Sequence, residues 1–156
     1  ALIFGQNIHH QPLGSVKFVF VVAPQHPLAS VDEPISPKDI TKHRIVSVAD
    51  SIQRGSGVTI GVAPGQDVMT VPSMAAKLDA QMRGLGCGFV PEAMAKPYLE
   101  AGRLIEKRID QPERTTHSRY AWRQTDSGPG RALQWWLFQL SQPATRQALI
   151  ENHLKQ

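Results

Sequence analysis

Apolar residues occur in short clusters separated by polar stretches that contain Gly or Pro. The largely apolar segment Val16–Ala23 shows no strict alternation, which predicts a strand buried on both faces, as in a parallel sheet. The polar stretch Gln6–Ser15, with Pro12 and Gly14, predicts a loop before it. Other clusters predict strands at 44–49, 58–62, 67–71, 87–90, 103–109 and 118–124.

Helix signals lie between these strands. Ser36 followed by Pro37 is typical of a helix start, so we expect a short helix over 37–43. Ser73 is a good N-cap for a helix whose apolar side chains repeat every four residues: Met74, Leu78, Met82. Further helices are predicted after Pro91, over 132–140 and over 144–154. The alternation of strands and helices predicts an α/β fold, with a Rossmann-like, mostly parallel sheet sandwiched by helices.

Composition narrows the class of protein. The chain has 156 residues, 41% of them apolar, a net charge of +4 and one cysteine. That length suits about one domain, and one cysteine excludes a disulfide scaffold. The apolar runs are too short to cross a membrane. The basic residues are scattered, whereas a nucleic-acid interface needs them clustered on one face.

No candidate motif assembles an enzyme site. The glycines around Cys87 follow a helix and precede a strand, the reverse of a phosphate-binding loop. The six histidines and Cys87 lack metal-ligand spacing, so we expect neither a metal nor a cofactor. Cys87 in an apolar strand indicates a structural thiol. For His26 we expect a capping or turn hydrogen bond.

Several segments together resemble the effector-binding domain of LysR-type transcriptional regulators. Val22-Ala23-Pro24-Gln25-His26-Pro27-Leu28-Ala29 is similar to a signature of that family. In the same order as in the family there follow a short Ser-Pro-Lys-Asp-Ile helix and a Thr-Val-Pro-Ser strand end. A Gly-Leu-Gly-Cys-Gly-Phe-Val-Pro step and an Ala-Gly-Arg-Leu step come next. The resemblance covers about residues 1–154.

The resemblance implies a regulatory role. Members of this family join a winged helix-turn-helix to two α/β subdomains of the type 2 periplasmic-binding-protein kind, with a ligand cleft between them. Residues 9–125 would form the second subdomain, 1–8 a stub of the first, and 126–156 a helical return to the first. The parent protein would be a cytoplasmic homodimer or tetramer that contacts DNA only through a domain missing from this chain, and a membrane is not expected as a partner.

Two strand ends are candidates for contact with a small-molecule effector. Ligands of open α/β sheets bind beyond the carboxyl ends of the strands. The strand at 44–49 ends near Asp50 and Ser51, and the strand at 67–71 ends before a helix N-terminus, which carries partial positive charge. We predict these effector-facing residues: Ser47, Ala49, Asp50, Ser51, Ser73 and Met74. Asp50 argues against a strongly anionic group directly beside it.

Alternatives stay open at this point. Ser73 could serve only as a helix cap, which needs no ligand. The chain could instead be a lobe of a periplasmic solute-binding protein, which has a similar two-lobed fold. An enzyme on the same scaffold is disfavoured because no acid–base set is present.

Overall fold

The computed structural model describes residues 7–49, 62–123 and 128–153. Lys17–Arg114 form one compact unit, and the segments before and after them form another. In chain order the elements are β1 (Ile8–Val22), a 3-10 turn (Pro27–Ser30), α1 (Pro37–Ile40), β2 (Ile45–Val48), β3 (Val68–Val71), α2 (Met74–Met82), β4 (Gly88–Pro91), α3 (Glu92–Glu100), β5 (Ile105–Lys107), β6 (Arg114–Arg123), α4 (Arg131–Ser141) and α5 (Pro143–His153).

β1 is the central strand of the larger sheet, and its direction corrects the sequence prediction. It pairs antiparallel with β4, where Val21 lies opposite Gly88, and antiparallel with β5, where Val21 lies opposite Glu106. The expectation of a mostly parallel sheet is therefore not confirmed, because the described sheets are largely antiparallel. The continuous apolarity of β1 reflects burial on both faces, and burial alone does not determine the direction of neighbouring strands.

Each face of β1 packs into a different hydrophobic cluster. Phe20 and Val22 lie in one cluster, whose other buried members are Leu28, Ile35, Ile40, Ile45, Cys87 and Ile109. Val19 and Val21 lie in a second cluster, which includes side chains from α2 and α3. These β1 residues are at most 4% exposed, as expected for a strand covered on both sides.

The predicted loop over 6–15 is also corrected. From Ile8 onward these residues belong to β1, and β6 pairs with β1. Polar and exposed side chains do not prevent this, because strand pairing uses backbone groups that every residue except Pro supplies in full. Most of the predicted strand at 58–62 lies outside the described residues.

β2 and β3 form a second, two-stranded sheet, which is parallel. One isolated parallel bridge, between Ile45 and Cys87, connects β2 to the start of β4. α2 packs on this sheet, where Ala80 meets Val46 and Val71 in a third cluster. The helices signalled by Ser36, Ser73 and Pro91 all form close to their predicted positions.

The unit outside Lys17–Arg114 carries the exposed aromatic side chains. Trp135, Trp136 and Phe138 of α4 are 54%, 51% and 63% exposed. Among the described helices, none is both long enough and apolar enough to cross a membrane.

Candidate functional site

The carboxyl ends of β2 and β3 lie side by side. Their parallel register places Ser47 opposite Thr70 and Val48 opposite Val71. The backbone N–H of Ala49 donates to the carbonyl oxygen of Val71 over 2.9 Å, so pairing continues to the ends of both strands. The structure thus brings Ser47, Ala49 and the segment leading to Ser73 to one edge of the sheet.

Ser47 is a buried position on this edge. It is 5% exposed and follows two apolar, buried residues of the same strand, Ile45 and Val46. Side chains of a strand alternate between faces, so Ser47 shares a face with Ile45 and lies opposite the face of Val46. Val46 packs towards α2, whereas Ile45 belongs to the cluster around Phe20.

Ser73 is the N-cap of α2. Its hydroxyl oxygen accepts a hydrogen bond from the backbone N–H of Ala76 at 3.1 Å. This satisfies one of the amide groups left free at a helix start. Ser73 remains exposed, so capping and contact with a ligand are compatible.

Of the three remaining predicted site residues, the structure describes only Met74. Met74 is half-buried and packs against the second hydrophobic cluster, which includes Leu78 and Val90. Asp50 and Ser51 lie outside the described residues. Their contact with an effector stays a prediction, like that of the four described positions.

Sequence reasoning did not single out Gln81 of α2. Its side chain is fully buried, and among the described residues neither its amide nitrogen nor its amide oxygen has a hydrogen-bond partner. A Cβ atom added at Gly88 would lie 3.0 Å from the Gln81 Nε2. The available signal was spacing: Gln81 follows Leu78 by three residues and so lies on the apolar side of the helix.

Lys77 lies next to this amide. A Cβ at Gly88 would be 3.4 Å from the Lys77 Cε, so Lys77 and Gln81 both border Gly88. Burial, reinforced by the positive charge of Arg114, lowers the pKa of Lys77 to about 8, although the Cys87 side chain acts weakly in the opposite sense. A half-buried ammonium of this kind carries a desolvation cost.

Two other titratable groups have structural roles. Burial raises the pKa of the Cys87 thiol to about 12, and its Sγ lies 3.4 Å from the Arg44 carbonyl oxygen, so it is a protonated core side chain at neutral pH. The Nδ1 atom of His26 accepts a hydrogen bond from the backbone N–H of Leu28 at 3.1 Å and caps the 3-10 turn. The expected capping role of His26 is confirmed.

A metal site is not evident in the part of the chain that the structure describes. Residues 7–49, 62–123 and 128–153 contain no group of three or more His, Cys, Asp or Glu side chains arranged to hold a metal ion.

Comparison with known proteins identifies the fold. The regulatory domain of the LysR family regulator MetR from N. meningitidis superposes with a TM-score of 0.69 at 17% identity, covering 96% of this chain and 68% of that one. Full-length LysG from Corynebacterium glutamicum with bound effector Arg superposes with a TM-score of 0.60 at 22% identity, covering 97% of this chain and 49% of LysG. The mixed α/β architecture is thus that of LysR regulatory domains, which are of the type 2 periplasmic-binding-protein kind.

Sequence comparison gives the family. The uncharacterized HTH-type transcriptional regulator YeeY of Escherichia coli K12 is 39% identical over 97 residues, which are 62% of this chain and 31% of YeeY. This chain spans about a third of the length of such relatives. Residues 5–143 match the LysR substrate binding domain, a domain of transcriptional regulators and not of enzymes. The chain therefore belongs to the LysR substrate-binding domain family, as its sequence resemblance implied.

Proposed function

We propose that this chain senses a small polar effector at the carboxyl ends of β2 and β3, and that the effector controls DNA binding by a domain outside this chain. The observation that carries the proposal is the parallel register of β2 and β3. It places Ser47, Ala49 and the N-cap Ser73 on one edge beside the start of α2. Hydroxyl groups and amide groups at a helix start can bind a polar ligand group.

The effector would act by shifting a conformational equilibrium. A ligand changes the balance between two arrangements of a protein only as far as it binds one of them better. The bound effector Arg of LysG supports this role for a related regulator. Our proposal includes the predicted division, with residues 9–125 as the effector-binding subdomain and 1–8 and 126–156 belonging to the first subdomain.

The parent protein would be a cytoplasmic homodimer or tetramer. We do not favour the alternative of a solute-binding lobe, since YeeY, the curated relative reported above, is an HTH-type transcriptional regulator.

The test is a thermal-shift screen of the 20 amino acids against the chain, followed by calorimetric titration of each hit. Ser73→Asp is the informative variant, because Asp retains the N-cap but adds negative charge where the ligand would bind. We expect a hit to lose affinity in Ser73→Asp and in a bulky Ser51→Trp variant.

The matched control is Ser36→Asp, which changes the equivalent N-cap of α1. A hit that binds wild type, Ser73→Asp and Ser51→Trp with equal affinity would contradict the placement of the site at this edge.

A further inference from the structure

A cavity of about 320 Å³ opens in the Lys17–Arg114 unit, between residues of β1, β4 and β5 and the segment that leads into β6. Its apolar lining residues include Phe18, Phe89 and the largely buried Phe20. Phe20 and Phe89 meet edge to face, with ring centres 5.2 Å apart, which gives this part of the wall a fixed shape. The volume falls in the range of small-molecule sites.

Arg114 supplies the polar end of the cavity. Its guanidinium carbon lies 4.2 Å from the ring centre of Phe89. An arginine held over a ring keeps the N–H donors at the edge of its plane available, and two of them match the two oxygens of a carboxylate. Within the described residues, Arg114 has neither an ion pair nor a hydrogen bond from its side chain.

Two of the other cations in the cavity wall are already paired. Lys17 lies 3.2 Å from Glu92. Lys107 donates to the carbonyl oxygens of Ala29 and Val31 and lies 3.5 Å from Glu33. Arg108 is exposed to solvent. Arg114 is thus the half-buried cation of this wall that lacks an anionic partner in the described part of the chain.

The charge of Arg114 is incompletely compensated. Burial lowers the pKa of Arg114, with no opposing contribution from a carboxylate. The same positive charge helps to lower the pKa of Lys77. A desolvated cation without a partner is unfavourable, and a bound anion would remove that cost.

We propose that this cavity binds a small organic monocarboxylate with a planar apolar body. The carboxylate accepts two hydrogen bonds from the edge of Arg114, and the apolar body lies against the phenylalanine rings. The exposed carboxylates Glu106 and Glu113, also in the wall, disfavour a second negative charge on the ligand. The site shares no residue with the β2–β3 edge, so it does not depend on the function proposed above.

The first experiment compares benzoate with benzamide by calorimetric titration of the whole chain. The two compounds have nearly the same shape, but benzamide lacks the charge. We expect saturable benzoate binding and an affinity for benzamide lower by about tenfold or more, because hydrogen bonds to charged groups are the stronger ones. Equal affinities, or no saturable benzoate binding up to about 10 mM, would overturn the proposal.

The second experiment locates the bound benzoate. Arg114→Gln should reduce its affinity by roughly ten- to a hundredfold. Arg103→Gln is the matched control, since Arg103 also lies over a ring, that of Tyr98 at 5.7 Å, but outside the cavity. Arg103→Gln should bind benzoate like wild type.

Two further variants keep the result decisive. If circular dichroism shows that Arg114→Gln does not fold, Arg114→Lys replaces it. Lys retains the positive charge but cannot donate two parallel hydrogen bonds to a carboxylate, so the affinity for benzoate should still fall several-fold. If benzoate binding survives in Arg114→Gln but is lost in Ser73→Asp, benzoate occupies the β2–β3 edge and the cavity proposal is wrong.

Discussion

The imidazole rings of His26 and His43 lie 5.2 Å apart, centre to centre, at an angle of 54°. His26 is buried and caps the 3-10 turn through its unprotonated Nδ1. Protonation of His26 would therefore remove the acceptor of the cap and place a positive charge beside His43. Burial in the first place, and His43 in the second, lower the pKa of His26 below its ordinary 6.5.

This predicts acid sensitivity of the fold. As the pH falls below 6.5, the unfolded chain takes up a proton at position 26 before the folded chain does, so the free energy of unfolding decreases. His26→Asn keeps a capping side chain but does not titrate. We expect the melting temperature of wild type to fall more between pH 7.5 and 5.5 than that of His26→Asn, measured by circular dichroism. Equal decreases in the melting temperatures of the two proteins would show that His26 does not contribute to the acid sensitivity.

The cap of α2 should be measurable by itself. Ser73→Ala removes the acceptor for the Ala76 N–H and should lower the free energy of unfolding by about 1 kcal/mol. Ser73→Asp should stay close to wild type, because Asp caps equally well. Urea denaturation of the three proteins gives the comparison. An Ala variant as stable as wild type would mean that water replaces the cap without cost.

Because of Lys77, the free energy of unfolding should change with pH in the alkaline range. The Lys77 pKa of about 8 in the folded chain lies below its ordinary 10.5, so the folded state releases this proton first and stability rises as the pH increases between these values. Lys77→Met keeps the length of the side chain without the charge and is expected to be at least as stable at pH 7. Melting curves at pH 7 and 9 test both points. A rise that persists in Lys77→Met would assign it to another group.

A side chain at position 88 should destabilise the fold. The φ of Gly88 is +153°, and a Cβ would lie 3.0 Å from Gln81 Nε2 and 3.3 Å from the Val46 carbonyl oxygen. Gly88→Ala should therefore lower the free energy of unfolding by about 1–3 kcal/mol. Gly102, with φ of +67° and open space around it, is the control. Gly102→Ala carries backbone strain alone, about 1–2 kcal/mol.

A second substitution separates the two causes at Gly88. If crowding by Gln81 contributes, adding Gln81→Ala should recover part of the stability lost in Gly88→Ala, whereas it should not help Gly102→Ala. Equal effects of Gln81→Ala in both backgrounds would attribute the loss at Gly88 to its backbone conformation alone.

The aromatic surface of α4 should promote self-association. Trp135, Trp136 and Phe138 are all more than half exposed, and a contiguous apolar surface tends to be covered by another molecule. Light scattering across a dilution series should show a mass that rises with concentration, and Trp135→Gln combined with Phe138→Gln should suppress the rise. Leu85→Gln, at a 44% exposed leucine of the other unit, is the control. A monomer at every concentration would contradict this prediction.

Local signals predicted the caps well. Ser73 and His26 act on amide groups two or three residues away, so short sequence spacing contains the necessary information. Local spacing did not predict where β1 begins or in which direction its neighbouring strands run. Both depend on which distant strands pair with β1, and a strand buried on both faces has the same apolar pattern beside parallel or antiparallel neighbours.

The same difference between local and distant contacts applies to the candidate sites. Ser47 and Ala49 lie at the end of β2 and Ser73 just after the end of β3, and local patterns placed both strand ends close to where the structure has them. Arg114 and Phe89 are 25 residues apart in the sequence and meet through tertiary packing, which no local motif predicts.

β1 contributes side chains to two hydrophobic clusters, with Phe20 and Val22 on one face and Val19 and Val21 on the other. A slip of this strand by one residue would exchange the bulky and the smaller side chains between the clusters. Neither cluster can rearrange while the other stays intact. The two sides of this unit should therefore lose their protection against amide hydrogen exchange together, as one cooperative block.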